Sequence, residues 1–137
     1  MELNVKAAFF REMAYARSAE ATGDITLAKY HLERAHILGQ RWYTAHMKTH
    51  FHMFRLALKQ SDAKEARGQL VRLIGAAPFH IAGWVPVGNT GGADVSPTLP
   101  IPSDFKSYFE GYSLRKGLII RGTLLAALIA AYLLFLL

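Results

Sequence analysis

Apolar and small residues return every three or four positions through the first half of the chain, the spacing of helices with one buried face. The pattern predicts a first helix over about 3–22, stopped by Gly23-Asp24. A second, over about 25–38, aligns Ala28, Leu32 and Ala35, with Asp24 as N-cap and Gly39 at its end. A third, over about 42–60, carries Tyr43, Met47, Phe51, Phe54 and Leu58 on its apolar stripe. A fourth, over about 63–74, is capped by Asp62, carries Ala66, Leu70 and Leu73, and is closed by Gly75 and Pro78.

These four elements read as two copies of one unit. AEATGDITLAKYHLERAHIL and ALKQSDAKEARGQLVRLI align at a spacing of 38, which sets Asp24 on Asp62, Ala28 on Ala66 and Leu32 on Leu70. The alignment resembles a degenerate pair of tetratricopeptide repeats. The expected fold is all-α: a repeat-like domain of two antiparallel hairpins over 1–75.

The pattern then changes. All five prolines fall between Pro78 and Pro102, so 76–103 reads as an ordered Pro/Gly-rich loop rather than a polar linker, because it also holds Phe79, Ile81, Trp84, Val85 and Val87. Next comes a juxtamembrane amphipathic helix over 104–116, with Ser103 as cap and Phe105, Tyr108, Phe109 and Tyr112 sharing a face. Finally, GLIIRGTLLAALIAAYLLFLL, 117–137, holds a single charge, Arg121. Twenty helical residues reach about 30 Å, the thickness of a hydrocarbon layer, so the segment reads as a transmembrane anchor. Arg115 and Lys116 before it, with Arg121 snorkelling from its first turn, place the N-terminal domain in the cytoplasm. The expected partners are the lipid bilayer and the subunits of a membrane complex, met through Trp84, Phe105, Tyr108, Phe109, Tyr112, Arg115, Lys116 and Arg121.

Composition narrows this picture in three ways. The net charge of +6 is spread among carboxylates at helical intervals, without the basic stripe and interleaved aromatics that nucleic-acid binding needs. There is no cysteine, hence no disulfide and no thiolate ligand. The first residues contain no apolar run with a small-residue cleavage site, so no secretory signal is read.

The chemistry is concentrated in HLERAHILGQRWYTAHMKTHFHM, residues 31–53, which hold five of the six histidines. His36 and His46 lie at equal distances from the bend at Arg41, so an antiparallel hairpin sets them opposite each other. Glu33 and His50 lie one turn further from the bend. Glu33, His36, His46 and His50 could therefore converge on one Zn²⁺ or Fe²⁺, with Gln40 behind them. A two-iron site would need further carboxylates from Glu12 or Glu20. The competing reading leaves the histidines as packing residues beside an aromatic stripe and Glu33 paired with Lys29, Arg34 or Arg41. The run GNTGG offers either an anion nest or tight turns, and turns are the simpler reading. No hydrolase triad is present in the sequence.

HLERAHILGQ, HMKTH, GWVPVGNTGGADVSP and PIPSDF resemble DUF3703, a family of small bacterial proteins of unknown function, over roughly residues 10–105. The resemblance implies a pattern that includes His31, Glu33, His36, Gln40, His46, His50 and Gly88 to Gly92, and it implies no activity. The anchor lies outside the resemblance; it is the anchor, in a chain of bacterial type, that sets the expected location at a bacterial inner membrane with the N-terminal domain in the cytoplasm. The functional expectation is a non-enzymatic, membrane-anchored accessory subunit, with a mononuclear transition-metal protein as the alternative.

Overall fold

The structure is a computed structural model that describes residues 2–81, 85–93 and 98–135; at Glu2, Leu3, 76–79, Ile81, Leu114, Arg121 and Phe135 it describes the backbone alone. Six α-helices follow one another, and no strand occurs among the described residues: α1 (Glu2–Ala21), α2 (Ile25–Gly39), α3 (Tyr43–Lys59), α4 (Ala63–Ile81), α5 (Lys106–Phe109) and α6 (Leu114–Phe135). A 3₁₀ turn, Ser103–Phe105, leads into α5. Each of α1 to α4 packs on its neighbour in the chain.

The α1–α2 and α3–α4 connections are built alike. Asp24 Oδ1 accepts from Leu27 N at 3.0 Å, and Asp62 Oδ1 accepts from Glu65 N at 2.9 Å. The residue before each cap has positive φ, Gly23 at 79° and Ser61 at 57°. The backbone bond that closes each helix recurs too, Asp24 N to Ala19 O at 2.9 Å and Asp62 N to Ala57 O at 3.0 Å. The aspartates supply acceptors for helix-start amides that have no partner within the helix.

An apolar core joins Val5, Ala8, Phe9 and Met13 of α1 to Ala28, Leu32, Ala35 and Leu38 of α2, with Met53 and Leu56 of α3. The stripe of α2, Ala28, Leu32 and Ala35, is the one the periodicity predicts. That of α3 is not. Tyr43, Phe51 and Leu58 are 40–56% exposed, while His46, Thr49, His50, Met53, Leu56 and Ala57 are buried. On α4, Leu70 is exposed and Gln69 is fully buried. Ala66 is buried as the periodicity expects, but on both helices polar side chains that find partners inside take part of the inward face and displace the larger apolar residues from it.

Two boundaries also move. α4 continues past Gly75 and Pro78 to Ile81, since an internal proline removes one helix bond without forbidding the helix. The amphipathic helix expected over 104–116 is instead broken: α5 ends at Phe109, Gly111 turns the chain at φ 68°, and α6 starts at Leu114. Phe105 is 1% exposed and belongs to the core, with Tyr108 and Phe109 packed against it. Arg34 fastens this segment: Nη2 donates to Asp104 at 2.5 Å, Nε donates to Glu12 at 3.1 Å, and the guanidinium lies 4.1 Å from the Phe105 ring centre. Phe105 is therefore spent on closing the helical domain rather than on meeting a headgroup layer.

Every described side chain from Ile119 to Leu134 is exposed. The stretch Arg115–Leu134 is long and apolar enough to cross a membrane.

Candidate metal centre

Three imidazoles meet in the interior between α2 and α3. His36 leaves the last turn of α2, and His46 and His50 stand one turn apart on α3, so the two α3 rings share a face and the hairpin brings them to His36. Their Nε2 atoms form a small triangle: His36 to His46 2.8 Å, His46 to His50 3.0 Å, and His36 to His50 3.2 Å. The three ring centres are 4.6, 4.6 and 4.7 Å apart. All three residues are buried.

The opposite nitrogens decide what those Nε2 atoms carry. His36 Nδ1–H donates to the Asn89 carbonyl at 2.8 Å. His50 Nδ1–H donates to Gln69 Oε1 at 2.7 Å. Gln69 Nε2 donates to Glu65 Oε1 and to the Gly91 carbonyl, each at 2.7 Å, which fixes the amide so that Oε1 faces His50. A neutral imidazole with Nδ1–H has a bare lone pair on Nε2. His36 and His50 thus aim two lone pairs at each other, and His46 can supply at most one N–H to the triangle. A cation satisfies all three at once.

Electrostatics hold the cluster in the ligand form. Burial, then the charges of His46 and His50 beside it, drives His36 well below its ordinary value. Burial, followed by the charges of His50 and His80, lowers His46 to about 3. Burial lowers His50 to about 4, with the Gln69 hydrogen bond opposing it. The three rings are therefore neutral at physiological pH.

The loop 85–93 is the wall behind His36. Gln40, 1% exposed, holds it with three bonds: Nε2 to the Pro86 carbonyl at 2.9 Å and to the Asn89 carbonyl at 3.2 Å, and Oε1 from Gly88 N at 3.1 Å. The carbonyl of Asn89 thus takes a proton donor from both Gln40 and His36. Gly91, at φ 83°, lies flat on the imidazole, where a Cβ would come within 2.7 Å of the His36 ring. Gly88, also at φ 83°, would bring a Cβ to 2.0 Å from the Leu99 carbonyl. The GNTGG run is therefore a turn that lets backbone approach a ring.

Other predicted residues sit elsewhere. The Glu33 carboxylate is outside the group of converging ligand atoms. It lines a neighbouring cleft with Lys29, Met53, Gln60 and Glu65. Burial chiefly, and Glu65 in addition, raises its pKa against the pull of Lys29. The His36 ring turns its Nδ1 to the Asn89 carbonyl and its Nε2 to His46 and His50. Glu12 is taken by His31 at 2.7 Å and Arg34 at 3.1 Å, and Glu20 pairs with Lys59, so neither joins a two-metal site. Tyr112 lies under the Arg41 guanidinium at 4.4 Å, and Arg115 and Lys116 are exposed. Trp84 and the side chain of Arg121 lie outside the described residues. Gln69 was not foreseen; its signal is a glutamine between Ala66 and Leu73 on the face that α4 buries. Asn89, inside the glycine run, also gained its role only from the fold.

Three neutral imidazole nitrogens suit Zn²⁺, Fe²⁺, Ni²⁺ or Cu²⁺, and they leave at least one coordination position to another ligand.

The DUF3703 family model, described as "Protein of unknown function (DUF3703)", matches residues 3–109, and the chain belongs to that family. The match ends with α5, before the turn into α6. No curated protein and no solved structure matches.

Proposed function

We propose that this member of DUF3703 binds one divalent transition metal through His36, His46 and His50, and that α6 tethers the domain to a membrane. The convergence of three Nε2 atoms within 3.2 Å, two of them with their far nitrogens already bonded, carries the reading. A buried cluster of neutral histidines is costly to keep without an occupant, because lone pairs oppose each other in the interior. The ligand set is three histidines without Glu33.

Elemental analysis of the detergent-purified, untagged chain beside the His46→Ala/His50→Ala variant tests it. One transition metal per chain, lost in the variant, is the expected result. Equal metal content in both would end the assignment.

A second reading concerns α6. From Leu124 to Leu134 its exposed surface is apolar on every side, which fits lipid or a neighbouring span better than one face of a soluble partner. On this reading the chain is a membrane-anchored accessory subunit, and the helical domain is held close to a larger assembly on the cytoplasmic side. Cross-linking in membranes followed by mild extraction tests it. Recovery of the chain in the aqueous fraction after carbonate washing would exclude the anchor.

A further inference from the structure

The three histidines are held unequally at their far nitrogens. His36 Nδ1 is bonded to the loop through the Asn89 carbonyl, and His50 Nδ1 to the middle of α4 through Gln69. His46 Nδ1 is buried with no hydrogen-bond partner among the described residues. A buried polar atom left unbonded costs about 1–3 kcal/mol. In a metal ligand it also leaves the ring orientation and the tautomer unset.

The side chain placed to answer this nitrogen is His80, on the last turn of α4. Its ring centre lies 6.3 Å from that of His46, and its ring meets Tyr43, one turn before His46 on α3, at 5.7 Å. A hydrogen bond between two imidazoles sets their centres about 5 Å apart, so closure by roughly 1 Å joins the pair. We propose that His80 is the positioning residue for His46, and that on metal uptake its ring closes on His46 and accepts the Nδ1–H hydrogen bond.

This deepens the three-histidine reading and rests on it. Each ligand would then have one keeper: the loop holds His36, the middle of α4 holds His50, and the end of α4 holds His46. Of the three, only the last contact is unmade in the structure described, so loading would draw the end of α4 onto α3.

Titration of the full chain in detergent with Co²⁺, followed by visible absorption, tests the assignment in wild type and in His80→Ala, His80→Gln and His46→Ala. His80→Ala should still take one Co²⁺ with an unchanged band intensity, since the ligand count is the same. Its affinity should be about 10–100-fold lower, the usual loss when a ligand's outer hydrogen bond is removed. His80→Gln, whose amide oxygen can accept the same bond, should recover most of the affinity. Equal urea midpoints for the metal-free wild type and His80→Ala separate positioning from packing. Wild-type affinity in His80→Ala would overturn the proposal, as would a band that loses intensity there, because His80 would then be a ligand itself. A wild-type chain that takes up no Co²⁺ would remove the three-histidine reading and this inference together.

Discussion

Two parts of the interior of this small domain are made of opposite materials. One joins Val5, Phe9 and Met13 of α1 to Ala28, Leu32 and Leu38 of α2, and is apolar throughout. The other gathers His36, Gln40, His46, Thr49, His50, Gln69 and Asn89, all buried and all polar. Apolar contact is tolerant: it needs volume and shape, and it stabilises in proportion to the area removed from water. The polar part is demanding, because every donor and acceptor there must find a counterpart. The first part can hold the helices together. The second adds specificity at a standing cost in stability, which is the signature of a site rather than of a core.

Acid should separate the two parts most sharply. In the metal-free chain burial keeps His46 at about 3, His50 at about 4 and His36 well below its ordinary value. In the unfolded chain all three titrate near about 6.5. The unfolded state therefore binds more protons through this window, and stability rises with pH. The contribution of the neutral histidines is whole above about pH 6.5 and is lost as pH falls toward about 4, by up to about 1.4 kcal/mol per pH unit for each ring. Urea unfolding at pH 7 and pH 5 should show the midpoint dropping. A midpoint that does not move would mean that the rings take up protons in the folded state, and the contrast between the two parts would fail.

Substitution in the apolar part should cost stability and nothing else. Met13→Ala empties a site that is fully buried, and should remove about 2–5 kcal/mol. Metal content per folded chain should stay at the wild-type value. A loss of metal in this variant, measured on folded protein, would couple the two parts and blur the distinction.

A smaller loss of stability is expected at Gln69. Gln69→Leu keeps the volume and strips His50 Nδ1, the Gly91 carbonyl and Glu65 of a partner. Stability should fall by about 1–3 kcal/mol. Metal affinity should fall about 10–100-fold, because the His50 ring loses what orients it. Calorimetric titration set beside urea unfolding would sharpen the comparison, since only a polar-part residue should move both quantities.

The α2 side of the apolar part was legible in the sequence. Ala28, Leu32 and Ala35 and the caps Asp24 and Asp62 follow from helical periodicity and from the chemistry of helix starts, which are local properties. The histidine triad was legible in part, because symmetry about the bend sets His36 against His46. Glu33 was included by the same reasoning and falls outside, since hairpin register says which residues are level and not which way a ring leans. The buried faces of α3 and α4 are only partly legible, for a stronger reason: His46, His50 and Gln69 are polar yet inward, so apolar periodicity favours Phe51, Leu58 and Leu70, which are exposed. Only the return of the loop, through Asn89 and Gly91, makes a polar inward face affordable. Phe105 was misassigned because an aromatic side chain before an apolar helix carries the same sequence signal whether it meets lipid or its own domain.

The order in which these atoms occur along the chain bears on how the protein is made. His36 and His50 are 14 residues apart, whereas the Gln69 oxygen follows His50 by 19 residues and the Asn89 carbonyl follows His36 by 53. Synthesis from the N-terminus therefore delivers all three imidazoles before the groups that set the tautomers of His36 and His50. A nascent hairpin leaving the ribosome carries its ligands with either ring nitrogen still able to hold the proton. The later arrival of α4 and the glycine run settles that choice, so the site matures in time as well as in space.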